Sequence, residues 1–248
     1  MSKHIIHGLH SVESLLKNHP ERVQLLYLLE DRQDKKIQTI LELAKLQKVK
    51  TEFKKREELD RLTDNENHQG VAAVCHPMKN FNENDLDTFI QNSEKPFFLI
   101  LDGVQDPHNL GACLRTADAA GVTAVIAPRD KSVGMTPTVV KVASGAAETV
   151  PFIQVTNLAR TMKFLQENGV WIYGAAGEAE QNLFDVKFSG AVAIALGAEG
   201  TGLRRLTREH CDVLVKIPMQ GSVSSLNVSV ATGICLFEVV RQRGALSS

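Results

Sequence analysis

Phe97-Phe-Leu-Ile-Leu-Asp-Gly-Val-Gln-Asp-Pro-His-Asn-Leu-Gly-Ala-Cys-Leu-Arg-Thr-Ala-Asp-Ala-Ala-Gly-Val-Thr-Ala-Val-Ile-Ala127 decides the fold. Its apolar run from Phe97 to Val104 predicts a strand buried on both faces. Leu110–Ala120 predicts a helix, and Val122–Ala127 a second strand. The pattern then repeats, with strands over Val150–Val155, Val170–Gly174, Val192–Gly197 and Val213–Ile217. Helices fall between most of them, over Thr138–Ala147, Leu158–Asn168 and Leu203–His210, and Val228–Arg241 comes last. Continuous Val, Ile, Leu and Ala runs alternating with helices predict an α/β domain built on a parallel sheet covered on both faces. Ligands of such sheets bind beyond the carboxyl ends of the strands, so the strand-to-helix loops are where chemistry is expected.

Upstream, residues 1–76 read as a smaller α/β unit. Helices are expected over Ser11–Lys17, Asp34–Lys48 and Glu57–Leu62, and strands over Leu25–Leu29, Val49–Phe53 and Val71–Val74. The polar, turn-rich stretch that begins at His76-Pro-Met-Lys-Asn predicts a linker over 77–95, which leaves 96–248 as the second domain. The 248 residues suit such a division, and 43% hydrophobic with 23% charged residues is an ordinary globular composition. No apolar run reaches the roughly 18 residues of a membrane span. The N-terminus lacks the apolar core of a signal peptide, so a cytoplasmic protein is expected.

Charge excludes little. The formal net charge is −1, so no global basic field marks a nucleic-acid partner, and any such field must be local, as at Lys54-Lys55-Arg56. Cys75, Cys113, Cys211 and Cys235 form no CxxC pair, which points to free thiols. His4, His7 and His10 are spaced by three but have no cysteine or carboxylate companion, so no metal is expected.

Three loops carry candidate chemistry. The first is Asp102–Arg115, with Asn109 at a helix start and Arg115 six residues on, where Asp118 is an available partner. The second is Gly197-Ala-Glu-Gly-Thr-Gly202. Its glycines read G-x-x-G-x-G, which is not the dinucleotide-binding order, and Glu199 can also be read as a carboxylate on a helix dipole. The third is Ile217-Pro-Met-Gln-Gly-Ser-Val-Ser-Ser-Leu-Asn227, feeding an apolar helix. Capping that helix needs one residue, Ser224 or Ser225, whereas the loop offers Ser222, Ser224, Ser225 and Asn227. A loop so rich in polar groups at a helix N-terminus suits a bound polar ligand. No P-loop and no G-x-S-x-G elbow occurs.

In this order and at these separations, the three loops resemble the SpoU branch of the SPOUT RNA methyltransferases. The resemblance runs from Pro96 to Arg241, and residues 1–76 resemble that family's ribosomal-protein-like RNA-binding domain. It implies S-adenosylmethionine-dependent methyl transfer to a ribose 2′-OH, with the nearest likeness to members that act on a guanosine of 23S ribosomal RNA. It further implies a C-terminal trefoil knot around the cofactor and a homodimer formed through the catalytic domain. Asn109, Arg115, Glu199, Ser225 and Asn227 fall on the family's catalytic positions. Gly197, Ile217 and Leu226 fall on positions whose main chain holds the cofactor, and Gly174–Gly177 is expected as a second wall. Arg115, always charged near neutrality, suits a role on developing alkoxide charge or on the RNA phosphate better than one as a base. Candidate RNA contacts upstream are His10, Lys54, Lys55, Arg56 and His68-Gln69-Gly70. The competing readings are a 2′-O-methyltransferase of transfer RNA and a catalytically silent RNA-binding protein of the same fold.

Overall fold

The computed structural model describes residues 4–32, 34–76 and 81–245. The chain divides into one unit of residues 1–79 with 144–149 and a second of residues 80–143 with 150–248. In the first unit the elements are β1 (His4–His7), α1 (Leu9–Asn18), β2 (Val23–Leu29), α2 (Lys35–Leu46), β3 (Thr51–Lys54), α3 (Arg56–Leu62) and β4 (Val71–Cys75). The sheet order is β1-β4-β2-β3, antiparallel except for the parallel pair β2 and β3. Helix α2 starts where Asp34 accepts hydrogen bonds from the main-chain N–H groups of Lys36 (3.0 Å) and Ile37 (3.3 Å). Its Ile37, Ile40 and Ala44, spaced to lie on one face, join Val12, Leu15, Leu16, Leu26 and Leu28 in a closed core.

The second unit contains α4 (Leu86–Gln91), β5 (Phe97–Asp102), α5 (Pro107–Ala119), β6 (Ala124–Pro128), α6 (Pro137–Ala143), β7 (Phe152–Val155), α7 (Leu158–Glu167), β8 (Trp171–Ala175), β9 (Gln181–Asn182), β10 (Val192–Gly197), α8 (Arg205–Glu209), β11 (Val213–Lys216) and α9 (Val228–Ala245). Its seven strands are all parallel, in the order β7-β6-β5-β10-β8-β11-β9. Every residue of β5 is buried. Side chains alternate across the pleat, so Phe98 and Ile100 point to the side where Leu158, Met162 and Leu165 of α7 lie. Helix α5 packs against α6 and α9. From β5 the chain builds outward through β6 and β7, then places the remaining strands beyond the opposite edge of β5. The order therefore reverses between β5 and β10, which opens a crevice at their carboxyl ends.

Three expectations need correction. Residues 81–91, expected as linker, belong to the second unit. There Leu86 is buried in the core, and Glu83 accepts hydrogen bonds from the Thr156 main chain and from Arg160 (3.0 Å). Residues 77–80 of that stretch lie outside the described ones. The helix expected over Thr138–Ala147 stops at Ala143, because Ser144 (φ 51°) and Gly145 (φ 97°) both turn left-handed. Finally, α9 is capped by neither Ser224 nor Ser225. Asn227 accepts from the Ser229 N–H at 2.9 Å and from the Ser229 hydroxyl at 2.6 Å.

All four cysteines are free thiols. Burial pushes Cys75, Cys211 and Cys235 up to about 12 and Cys113 up to about 11, so they pack as small apolar groups.

Candidate functional site

A cleft of about 680 Å³ opens at the carboxyl ends of β8, β10 and β11. Its walls are Ala175–Glu178 after β8, Leu196–Leu203 around the end of β10, and Lys216–Met219 with Ser224–Leu226 after β11. This volume is typical of small-molecule sites, which run to roughly 300–1,000 Å³. Gly197, Ile217 and Leu226, expected on the cofactor side, line it, and so does Ser225, expected among the catalytic residues. Gly197 has no alternative there: a Cβ would come within 1.9 Å of the Gly202 carbonyl carbon and 2.1 Å of the Leu203 nitrogen. The returning loop thus lies directly on the end of β10, and main chain rather than side chain forms that wall.

Gly174 is a different matter. It is buried in β8 one residue short of the cleft, and a Cβ would meet the Cys211 sulfur at 2.6 Å and Leu203 and Leu214 at 2.9 Å. It serves packing beneath the site, and the wall begins at Ala175. No cue in the sequence separated these two positions.

A smaller cleft of about 340 Å³ lies alongside, at the ends of β5 and β10. Asn109 and Lys131 line it, while Ala198, Glu199, Thr201, Gly202 and Val228 border both clefts. Beneath it the fully buried Asp102 carboxylate accepts from the Arg204 N–H at 2.8 Å and from the Arg204 guanidinium. That pair anchors the β10 loop and the start of α8 onto β5.

One hydrogen-bond chain joins the three loops. Asn227 Nδ2 donates to Asn109 Oδ1 at 3.0 Å, and Asn109 Nδ2 donates to Glu199 Oε2 at 3.4 Å. Its polarity is set at the helix end. Because Asn227 Oδ1 accepts the main-chain N–H that starts α9, its amide nitrogen must face Asn109. Asn109 then turns its oxygen inward and its nitrogen to Glu199. The carboxylate receives a proton donor on one oxygen, and the other oxygen is left for a ligand.

Arg115 is not part of this cluster. It sits exposed on α5, lines neither cleft, and makes no hydrogen bond or ion pair among the described residues. Of the five expected catalytic residues, the hydrogen-bond chain joins Asn109, Glu199 and Asn227, while Ser225 lines the larger cleft beside them.

Among the upstream candidates, His10, Lys55 and Arg56 are exposed. Lys54 is half-buried, with its ammonium 3.0 Å from Glu58 and 5.8 Å from the centre of the Tyr27 ring. His68, by contrast, is buried. Its Nδ1 accepts from the Gly70 N–H at 2.9 Å, and its Nε2 lies 3.0 Å from Asp60. Gln69 Oε1 accepts from the Leu9 N–H at 3.1 Å, and both Gln69 (φ 50°) and Gly70 (φ 76°) are left-handed. These three residues build a turn, in which His68 and Gly70 are buried and Gln69 is exposed. Phe53, which the sequence reading did not single out, is a 52% exposed aromatic beside Lys54, Lys55 and Arg56. The available signal was an aromatic flanked by charges on a short strand.

Among the described residues no group of three or more His, Cys, Asp or Glu side chains could hold a metal ion, and no helix is long and apolar enough to cross a membrane.

As a class, this is a two-unit α/β protein whose parallel sheet carries two adjoining clefts at the carboxyl ends of its strands, the smaller one at the order reversal. Residues 96–237 match the SpoU rRNA methylase family, and residues 5–81 match the RNA 2′-O ribose methyltransferase substrate-binding domain. The chain belongs to the SpoU rRNA methylase family. It is 57% identical over 243 residues to the 23S rRNA (guanosine-2′-O-)-methyltransferase RlmB of Vibrio vulnificus, covering 98% of each chain. To RlmB of Escherichia coli strain K12 it is 56% identical over 239 residues, which is 96% of this chain and 98% of that one. Its fold is shared with the SpoU methyltransferase AviRb of Streptomyces viridochromogenes in complex with AdoMet. The TM-score is 0.74 at 24% identity, covering 98% of this chain and 91% of that one.

Proposed function

We propose that this protein transfers a methyl group from S-adenosylmethionine to the ribose 2′-OH of a guanosine in 23S ribosomal RNA. Near-full-length similarity to RlmB proteins supports the substrate. The observation that carries the chemistry is the position of Glu199 on the border of both clefts, oriented by Asn109 and Asn227. The larger cleft suits the cofactor, since its main-chain wall at Gly197 and its Ile217–Leu226 side offer backbone N–H and C=O groups to an adenine edge. When bound, the cofactor supplies an electrophilic methyl group on a sulfonium. The protein's task is to hold the attacking hydroxyl in line, take its proton and exclude water.

Glu199 accepts the hydroxyl proton through its free oxygen, and Asn109 keeps the carboxylate turned toward the smaller cleft, where the ribose enters. Ser225, on the wall of the larger cleft, positions the groups that meet there. Arg115 acts on phosphate or on the developing alkoxide. Its exposed position fits a homodimer, in which a second copy brings its own Arg115 to this site. Helix α9 favours such pairing: Val228, Cys235, Leu236 and Val239 are buried, while Val230 (51% exposed) and Phe237 (47% exposed) remain on the surface. A helix apolar on every side needs a cover on every side. A monomer in sedimentation at working concentration would count against it. The first unit, with Phe53, Lys54, Lys55 and Arg56, selects the RNA in the cytoplasm.

Mapping ribose methylation on total RNA from cells with and without the protein, alongside transfer of tritiated methyl to purified RNA, tests the reading. One guanosine of 23S RNA should lose its methyl. Labelling of transfer RNA alone, or of nothing, would overturn it.

A further inference from the structure

Four charged side chains line the larger cleft: Glu178, Glu199, Arg208 and Lys216. Glu199 is held by Asn109 at the border with the smaller cleft, and Lys216 has no ion-pair partner among the described residues. Glu178 and Arg208 behave differently. Glu178 lies in the loop after β8 and Arg208 in α8, and the guanidinium contacts the carboxylate in an ion pair. With 58% of the Glu178 side chain and 38% of the Arg208 side chain exposed, the two face water, where such a pair adds little to stability. The fold does not need it, since Asp102 already fixes the start of α8 through Arg204.

We propose that Glu178 and Arg208 form the subsite for the zwitterionic amino-acid end of the cofactor, the carboxylate taking its α-ammonium and the guanidinium its α-carboxylate. The inference rests on the cofactor reading above and deepens it. A zwitterion carries a cation and an anion two bonds apart on one carbon, and a contacting Glu–Arg pair presents the complementary charges at a similar spacing. The planar guanidinium grips a carboxylate through two parallel hydrogen bonds. In the free protein each side chain serves as the other's stand-in, so neither is left unpaired before the ligand arrives. The nucleoside end then lies against the Gly197 and Leu226 walls, where no charged group is needed.

The test is calorimetric binding of two probes to the full-length protein. S-adenosylhomocysteine carries the amino-acid end, and 5′-methylthioadenosine lacks it. Glu178→Gln and Arg208→Gln should each weaken S-adenosylhomocysteine about 10- to 100-fold, the range for a charge-assisted hydrogen bond, and change 5′-methylthioadenosine less than about twofold on the same scale. Arg208→Lys should recover part of the loss. Equal weakening of both probes would overturn the subsite, because the pair would then be shaping the cleft or holding the ribose. Unchanged binding of both would overturn it as well. If the wild-type protein binds neither probe, the cofactor reading falls and takes this proposal with it.

Discussion

Glu199 owes its orientation to a residue whose first task is helix capping. Asn227 spends its amide oxygen on the Ser229 N–H, which leaves only a nitrogen to offer Asn109. Two variants separate capping from chemistry. Asn227→Asp keeps the cap, since Asp and Asn cap about equally well, but it turns a second acceptor toward Asn109. Its melting temperature should match the wild type while kcat falls; equal kcat would show that the chain of amides is idle. Glu199→Gln removes the proton acceptor and should lower kcat by at least about 100-fold, the scale of general base catalysis. It should also abolish the acidic limb of the pH–kcat profile, and an unchanged profile would take Glu199 out of proton transfer. At Phe53, truncation to Ala removes a stacking surface worth about 1–3 kcal/mol per base. RNA affinity should drop in a filter-binding assay while S-adenosylhomocysteine binding holds; unaltered RNA affinity would leave Phe53 without that role. Of these residues, Asn109, Glu199 and Asn227 were readable in the sequence because they sit on recognisable loops. Arg115 was read onto the same loop, yet the fold turns it to the surface, which no spacing along the chain reveals.

At the scale of elements, the buried strands were legible because β5, β10 and β8 are continuous apolar runs, and a parallel strand covered on both faces has no polar alternation to confuse it. Helix boundaries were less so. The break after Ala143 depends on Ser144 taking a left-handed conformation that its residue type does not announce. The two-residue β9 is too short to leave a pattern. Least legible was the contact of Gly197 with the Gly202–Leu203 peptide, which depends on how tightly the loop after β10 turns back onto the end of its own strand. Gly197→Ala tests that return. Backbone cannot yield as a flexible side chain can, so the variant should lose cofactor-analogue binding and melt at lower temperature. Wild-type affinity in calorimetry would mean that the loop has room to move aside.

For the whole molecule, the division into units does not follow the order of the chain. Residues 144–149 belong with the first unit, and Glu148 within them is buried and paired with Arg22 at 2.7 Å. Burial pushes the Glu148 carboxyl upward, but Arg22, with His4 at 3.7 Å, holds it below the usual carboxylate range. The pair's contribution is therefore complete above the unfolded value of about 4.3 and is lost as the pH falls through the lower folded value. Arg22→Met removes the guanidinium partner of a buried carboxylate, leaving only His4 beside it, and should cost about 3 kcal/mol near neutrality. In urea denaturation the variant should lack the wild type's loss of stability on acidification. Parallel pH profiles would refute this account. The sequence hid the arrangement because a boundary drawn at a turn-rich stretch cannot show that a later segment returns.

The hydrogen-bond chain has one more consequence, and it concerns time. Asn109 lies 90 residues from Glu199 and 118 from Asn227, so the groups that meet at the site emerge from a translating ribosome far apart. A nascent chain has β5, β8 and β10 well before it has Ile217–Leu226 or the start of α9. Until that last helix folds, the Asn109 amide has nothing to orient it and the larger cleft lacks a wall. Contacts of such long range also form late in folding. The site thus stays incomplete until the last helix of the chain has been made and folded.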